Sequence, residues 1–354
     1  MEIVVDKTLL ENKISSAVNF IDKRDQSSIT SHILLEGRDG KVSVKATDRE
    51  NGFWSEVEAV VIEPGVATLP GKKFADILRA MGGKEPITIK SDGQQVVISQ
   101  GESQFTLYSF DPTHFPLFPE LEKVEKLEIE PEEFIKGILK VLPSVDTNNP
   151  KFELNGALLD IQKEEVRFVG TDTRRLALYR SPGGASTPTK LILHRKALTE
   201  IKKIFTDQMK IYYDDTYFIL KNGATLFFTK LINGRFPDYE RVIPTQFQQK
   251  FTLPKSEILR ALKQLAVVSN EVVITFLPDK IEMETLSEEN LRARTTLPIS
   301  TPVEKFQLAF NSRYLVDFLN VIEEEEFEIG LQEPELPFVV EAGRLLAVIM
   351  PLIV

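Results

Sequence analysis

Three stretches of the chain share one arrangement of apolar and polar positions. Each opens with a short apolar–polar alternation and runs into a segment whose apolar residues recur every four positions, the signatures of a half-buried strand and an amphipathic helix. EIVVDKTLLENKISSAVNFI starts at Glu2, LEIEPEEFIKGILKVLPSV at Leu127 and FTLPKSEILRALKQLAVVS at Phe251. Strand positions Ile3, Leu127 and Phe251 correspond at a spacing of 124, as do Val5, Ile129 and Leu253. On the helices the predicted buried stripe is Leu10, Phe134 and Ile258, then Ile14, Ile138 and Leu262, then Val18, Leu142 and Ala266. Pro131 suits a first-turn position, where its missing N–H costs little. A second triplet, LPGKKFADIL from Leu69, LHRKALTEIK from Leu193 and FNSRYLVDFL from Phe310, predicts another helix per repeat. Lys72, Lys196 and Arg313 align there, as do Asp76, Glu200 and Asp317, over inward Phe74, Leu198, Leu315 and Ile77, Ile201, Phe318.

Runs rich in Val, Ile, Phe and Thr fill the spaces between, with hairpin signals at Asp39-Gly40, Asp92-Gly93 and Asn222-Gly223. The chain therefore reads as α+β, three repeated domains of antiparallel strands with two helices each. Boundaries are expected in the Pro-rich, polar stretches 117–126 and 238–250, giving domains 1–122, 123–246 and 247–354.

Composition narrows the function. Hydrophobic residues at 42% and charged residues at 27% are ordinary for a globular protein. No run approaches the ~20 apolar residues of a membrane span, and the N-terminus lacks a basic start followed by an apolar segment. With no Cys there is no disulfide, thiolate metal site or thiol nucleophile, which fits a reducing compartment; the cytoplasm is expected.

A net charge of −10 argues against nucleic acid until its distribution is considered. The predicted helix windows 7–24, 72–84, 132–140, 195–203, 255–263 and 313–322 hold 18 Lys and Arg against 8 Asp and Glu, an excess of +10, leaving −20 for the rest. Helices of three similar domains set on one side would make that side attractive to phosphate, without sequence readout.

No catalytic constellation is visible. His32, His114 and His194 match no metal-ligand spacing, so no metal is expected. GTDTRR, from Gly170, lacks the glycine spacing and Lys of a phosphate loop, and Thr47-Asp48 stands 124 residues before Thr171-Asp172, as a turn shared by the repeats would. Asp214-Asp215 reads as a hairpin turn and Glu323–Glu326 as a solvated face. No nucleophile, base and oxyanion donor assemble; neither a cofactor nor catalysis is expected.

LNGALLDI (Leu154–Ile161), GTDTRRLALYR (Gly170–Arg180), KLINGRFPDYERVIP (Lys230–Pro244) and VIMPLIV (Val348–Val354), in this order on a triplicated background, carry a resemblance. Over essentially its full length the chain resembles the bacterial β sliding clamp family, the processivity subunits of DNA polymerase III. The resemblance implies sheets outside and helices inside, in a head-to-tail homodimer whose six domains close a ring around double-stranded DNA. Helices ~10 Å apart around such a ring leave a lumen on the order of 30 Å. It implies a bacterial cytoplasmic, nucleoid-associated protein with no membrane partner, bound by the replicative polymerase catalytic subunit, the clamp loader and other proteins bearing a clamp-binding motif.

The resemblance also assigns residues. A partner-peptide pocket would include Leu154, Thr171, Thr173, Arg174, Arg175, Leu176, Pro237, Arg241, Val242, Asn311, Tyr314, Val348, Met350, Pro351 and Leu352, with Arg side chains suited to a peptide carbonyl or carboxylate. DNA contacts would come from Arg24, Lys72, Lys73, Asn148, Arg195 and Lys196. A dimer seam would set Phe105 and Leu107 against Val267 and Val268. Three departures stand out. The tail reads Met350, Pro351, Leu352, Ile353, Val354 where relatives commonly end Met-Pro-Met-Arg-Leu, Thr173-Arg174 replaces a frequent Gly-His, and DQSSITSHILLEG follows Arg24 in place of a Pro-rich stretch. The competing reading is a repeat-built peptide-binding scaffold that does not encircle nucleic acid.

Overall fold

The computed structural model describes residues 1–83, 85–119, 124–204, 208–286 and 291–353. The expected boundary at 122–123, and Val354, lie outside the described residues. The first repeat runs β1 (Glu2–Val5), α1 (Lys7–Ala17), β2 (His32–Arg38), β3 (Lys41–Thr47), β4 (Asn51–Glu63), β5 (Gly65–Pro70), α2 (Gly71–Ala80), β6 (Ile87–Ser91), β7 (Gln95–Gln100) and β8 (Ser103–Tyr108). The second runs β9 (Glu125–Leu127), α3 (Pro131–Val141), β10 (Gly156–Ile161), β11 (Glu165–Thr171), β12 (Arg175–Pro182), β13 (Thr189–His194), α4 (Arg195–Ile204), β14 (Lys210–Tyr213), β15 (Tyr217–Asn222) and β16 (Thr225–Lys230). The third runs β17 (Gln249–Pro254), α5 (Lys255–Leu265), β18 (Glu271–Phe276), β19 (Ile281–Thr285), β20 (Arg294–Leu297), β21 (Phe306–Asn311), α6 (Ser312–Val321), β22 (Glu326–Leu331), β23 (Phe338–Ala342) and β24 (Leu345–Ile349). One order, strand, helix, four strands, helix, three strands, thus occurs three times among the described residues.

Strand pairing builds two four-stranded groups per repeat, β5-β2-β3-β4 and β8-β7-β6-β1 in the first, where β1 also pairs with the long β4 and joins them, and all of it is antiparallel. The sheets do not stop at the repeats. β4 pairs with β16, and β12 with β24, so that sheets of consecutive repeats continue into one another. The chain accordingly divides into two compact units, one of Met1–Leu127 with Thr199–Leu231 and one of Glu128–Leu198 with Ile232–Val354. The first holds a 12-stranded sheet; the second holds the eight-stranded β13-β10-β11-β12-β24-β23-β22-β17 and the four-stranded β20-β19-β18-β21.

The hairpin signals form the turns they predict: Asp39 and Gly40 both take positive φ (50° and 76°), as do Gly93 and Gly223. On the helices Leu10, Ile14, Phe134, Ile138, Ile258 and Leu262 are buried. The third predicted stripe position needs correction. Val18, Leu142 and Ala266 are only half-buried and end their helices, each N–H donating to the carbonyl of Ile14, Ile138 or Leu262. Ala17, Val141 and Leu265 fill the core instead, because at 3.6 residues per turn position i+7 lies about 20° from the first stripe residue, whereas i+8 lies about 80° away at the edge of the face.

Two helix windows were also too long. α1 stops at Ala17, followed by a 3-10 turn, Val18–Phe20, whose buried Phe20 stacks on Phe53 at 5.6 Å. Ile21 is extended, which puts Asp22, Lys23 and Arg24 in a loop. α2 ends at Ala80, ahead of Gly82-Gly83. Counted over the observed helices, 15 Lys and Arg face 7 Asp and Glu, an excess of +8 with the expected sign.

Candidate functional site

The second unit contains a cavity of about 620 Å³. Its floor is the outer side of a core cluster that includes Leu154, Leu176, Ile232, Phe236, Tyr239, Leu346 and Val348. Leu176 and Val348 face each other across the β12–β24 pairing, so the floor lies where sheets of the second and third repeats join.

One wall is the turn between β11 and β12. Thr171 Oγ1 donates to the Arg175 carbonyl (2.6 Å) and accepts from Thr173 N–H (3.2 Å), while the N–H groups of Arg174 and Arg175 donate to Asp172 Oδ1. Thr47, Asp48, Arg49 and Asn51 make the same bonds 124 residues earlier, as expected of a turn shared by the repeats. Thr173 and Arg49 hold φ of 73° and 74° there. A β-branched residue in this left-handed region is strained, whereas Gly takes such a φ at no steric cost.

The opposite wall is the segment 236–244, which the composition marks in part as a linker and from which the resemblance drew Pro237, Arg241 and Val242 into the pocket. Phe236, Pro237, Asp238, Tyr239, Arg241, Val242, Ile243 and Pro244 all line the cavity. A polar network on β10 and β11 holds this wall. The buried Tyr239 hydroxyl donates to Asp160 Oδ2 (2.8 Å) and accepts from Arg167 Nη1 (3.3 Å), which also reaches Glu240 Oε1 (2.6 Å). Gln162 Nε2 donates to the other oxygen of the buried Asp160 (2.6 Å). Burial, with help from Asp160, pushes the Tyr239 phenol up to about 12, so it stays protonated and keeps donating.

Of the expected pocket residues, Leu154, Thr171, Thr173, Arg175, Leu176, Pro237, Arg241, Val242, Val348 and Met350 line the cavity. Arg174, Asn311, Tyr314, Pro351 and Leu352 are not among its lining residues. Arg174 offers its carbonyl to Met350 N–H (2.9 Å), and Leu352 N–H donates to the Ala309 carbonyl (2.7 Å), fixing the C-terminal segment over β12 and β21. Asn311 caps α6 through Arg313 N–H, and Tyr314 lies under the Arg175 guanidinium. Lys151, Phe236, Asp238, Tyr239, Ile243 and Pro244, and Gln332, Leu336 and Pro337 on the β22–β23 loop were missed. The spacing Phe236-Pro237-x-Tyr239, which echoes Phe115-Pro116-x-Phe118, was the available signal for the wall.

Arg175 is not free to grip a ligand as the sequence suggested. Its Nε donates to Asp172 Oδ2 (3.0 Å), Nη1 to Asp317 Oδ2 (2.7 Å) and Nη2 to the Pro143 carbonyl (2.5 Å), and the side chain is 8% exposed. It braces the cavity wall against α6. Lys151 and Arg241 line the cavity as exposed cations, the latter paired with Asp238 at 2.8 Å.

None of the DNA-contact candidates is among the lining residues of the cavity. Arg24, Lys72 and Lys73 are exposed on the first unit. On the second, Asn148 and Lys196 are exposed, whereas Arg195 is half-buried and donates to the carbonyls of Leu142 and Val145 after α3. Phe105 and Leu107 are half-buried on β8, and Val267, 85% exposed, with Val268 follows α5. Among the described residues no three His, Asp or Glu cluster as metal ligands would, and no helix is long and apolar enough to cross a membrane.

Three family models match in succession: the DNA polymerase III beta subunit N-terminal domain over residues 1–119, its central domain over 128–238 and its C-terminal domain over 240–352. The beta sliding clamp of Helicobacter pylori strain J99 is 32% identical over 352 residues, 96% of this chain and 94% of that one. That of Escherichia coli K12 is 26% identical over 343 residues, 94% and 93% of the two chains. The Helicobacter pylori beta clamp solved with a bound DNA ligase peptide aligns over 100% of both chains with a TM-score of 0.94 and 31% identity. Matched along its length in sequence and in fold, the chain belongs to the DNA polymerase III beta subunit family, the beta sliding clamps.

Proposed function

We propose that two copies of this chain close head to tail into a ring around duplex DNA, and that the cavity of the second unit takes a short peptide from the polymerase, the clamp loader or another replication or repair protein. The protein works as a non-catalytic tether in the bacterial cytoplasm, holding its partners on DNA by topology and not by sequence.

One observation carries the closure. β4 and β16 pair with Asn51 facing Thr229 and Ser55 facing Thr225; β12 and β24 pair with Arg175 facing Ile349 and Tyr179 facing Leu345. The two junctions have the same register, displaced by one repeat. Among the described residues the corresponding third pair is unmade: β20 bonds only β19, and β8 only β7. Unpaired edges invite pairing with another chain, and a two-fold assembly satisfies both at once. Carried over, the register sets Phe105 opposite Ala293 and Leu107 opposite Leu291 of a second copy. Leu291, 62% exposed in a single chain, would be covered there.

For the cavity, the support is its apolar floor with Met350 at the rim, a surface that adapts to several partners. The DNA candidates retained are Arg24, Lys72, Lys73, Asn148 and Lys196, with Arg195 positioning the start of α4. Loader-assisted assembly on a nicked circular plasmid, followed by linearisation, tests the ring. The protein should stay on the circle and leave the cut form; equal retention on both would favour a scaffold that does not encircle DNA. Deleting 350–354 should abolish binding of the Helicobacter pylori DNA ligase peptide and leave the dimer intact.

A further inference from the structure

We infer that the first unit carries a second, closed copy of the peptide site, and that Phe228 occupies the space a partner's side chain takes in the open one. This rests on reading the open cavity as a peptide site. The two junctions share their register, so Gly52 and Phe228 stand where Leu176 and Val348 stand.

The surrounding walls repeat as well. The turn Thr47–Asn51 has the hydrogen bonds and the positive φ of the turn Thr171–Arg175. Phe118 packs on a cluster of Ile219, Leu226 and Phe228 that corresponds to the floor under Tyr239. What differs is the facing pair. In the open junction Leu176 and Val348 leave the space above them empty. In the first unit the Phe228 ring fills it, 3% exposed and edge-on to Phe118 (4.9 Å) and Tyr217 (5.4 Å). Gly52 makes room for the ring, since a Cβ there would stand 2.1 Å from Phe228 Cε1 and 2.3 Å from Cζ. A side chain at position 52 and the ring of Phe228 exclude each other. Among the described residues the chain therefore presents one open junction of the two that share this register.

The test copies the open junction into the closed one. Full-length wild type and the G52L/F228V variant are titrated with the DNA ligase peptide of the Helicobacter pylori complex, and bound peptides are counted by native mass spectrometry and calorimetry. One peptide per wild-type chain and two per variant chain are expected. One peptide on each, with the variant folded and melting cooperatively, overturns the inference and leaves the open site standing; none on wild type removes the peptide-site reading itself. If G52L/F228V does not fold, the reciprocal L176G/V348F variant decides. Its new ring should close the cavity, weakening the peptide by at least about 100-fold, as loss of a buried anchor site does, while the melting temperature stays within a few degrees of wild type. A variant that unfolds, or that still binds, contradicts the inference.

Discussion

Arg175→Met separates two roles for the guanidinium beside the cavity. If Arg175 is a brace, the substitution takes the guanidinium from Asp317, which accepts from Nη1 at 2.7 Å, and from Asp172, which accepts from Nε at 3.0 Å and keeps its two backbone N–H donors, and frees the Pro143 carbonyl and the face of Tyr314. Removing one partner of a buried ion pair costs ~3–5 kcal/mol. The two carboxylates keep 20% and 25% exposure, so water recovers part of that loss, and the lower end, about 3 kcal/mol, is expected. For a unit of this size about 1 kcal/mol moves the melting temperature by ~2–4 °C, so the fall should be about 6–12 °C.

Asp317→Asn on the Arg175→Met background removes the stranded charge and should recover about half of the fall, a coupling two independent sites would not show. Peptide affinity, measured by fluorescence anisotropy, should weaken by less than about 10-fold, or ~1.4 kcal/mol, because the wall shifts and no direct contact is lost. A melting temperature within about 2 °C of wild type together with a 100-fold loss of peptide affinity would refute the brace and restore the grip.

Tyr239→Phe keeps the ring on the cavity floor and deletes the hydroxyl that joins Asp160 and Arg167, a loss of about 1–2 kcal/mol. Peptide dissociation should quicken severalfold and equally from pH 6 to 9, since the phenol does not titrate there; stopped-flow rates with an unlabelled chase would reveal it. Thr173→Gly relieves a β-branched residue at φ 73° and should raise the unfolding free energy by about 0.5–1 kcal/mol, seen as a higher urea midpoint, and a lower midpoint would argue against strain. His32 is fully buried, stacked on Phe110 at 4.2 Å, and burial lowers its pKa from 6.5 to about 4. The folded state binds its proton less readily than the unfolded chain, so this contribution is whole above pH 6.5 and is lost as pH falls toward 4, about 3 kcal/mol in all. A His32→Gln variant should lose less stability between pH 7 and 4 than wild type in urea titrations; parallel curves would exclude His32 as the cause.

Much of the architecture was legible because local periodicity repeated. A strand running into a helix at a spacing of 124 is visible in a single chain, as are the hairpin turns whose backbone demands Gly. The joining of sheets between repeats was not, since β4 with β16 and β12 with β24 are pairings of distant strands whose partners no local pattern names. The polarity of adjacent residues was equally silent. Arg174 and Arg175 look alike in sequence, yet the turn leaves the first side chain in solvent, while the second, opening β12, is buried against Asp317. The wall at 236–244 was legible only in part: the resemblance supplied Pro237, Arg241 and Val242, but Pro and charge mark a segment without regular structure, and its apolar residues Phe236, Tyr239 and Ile243 read as a spacer until they are seen to be held by a neighbouring sheet.

The same distinction explains why repetition alone does not predict the number of sites. A repeated fold copies backbone register, and register decides only which residues meet. Whether their meeting leaves a space depends on volume: Leu176 with Val348 spreads two medium side chains along the two strands, whereas Gly52 with Phe228 gathers the volume into one ring lying over a bare backbone. Close-packed interiors respond to differences of a few methylenes, so a single exchange between facing strands is enough to turn a binding cavity into core. It follows that the open junction is the less densely packed of the two, and a partner side chain entering it completes a core that the other junction completes from within.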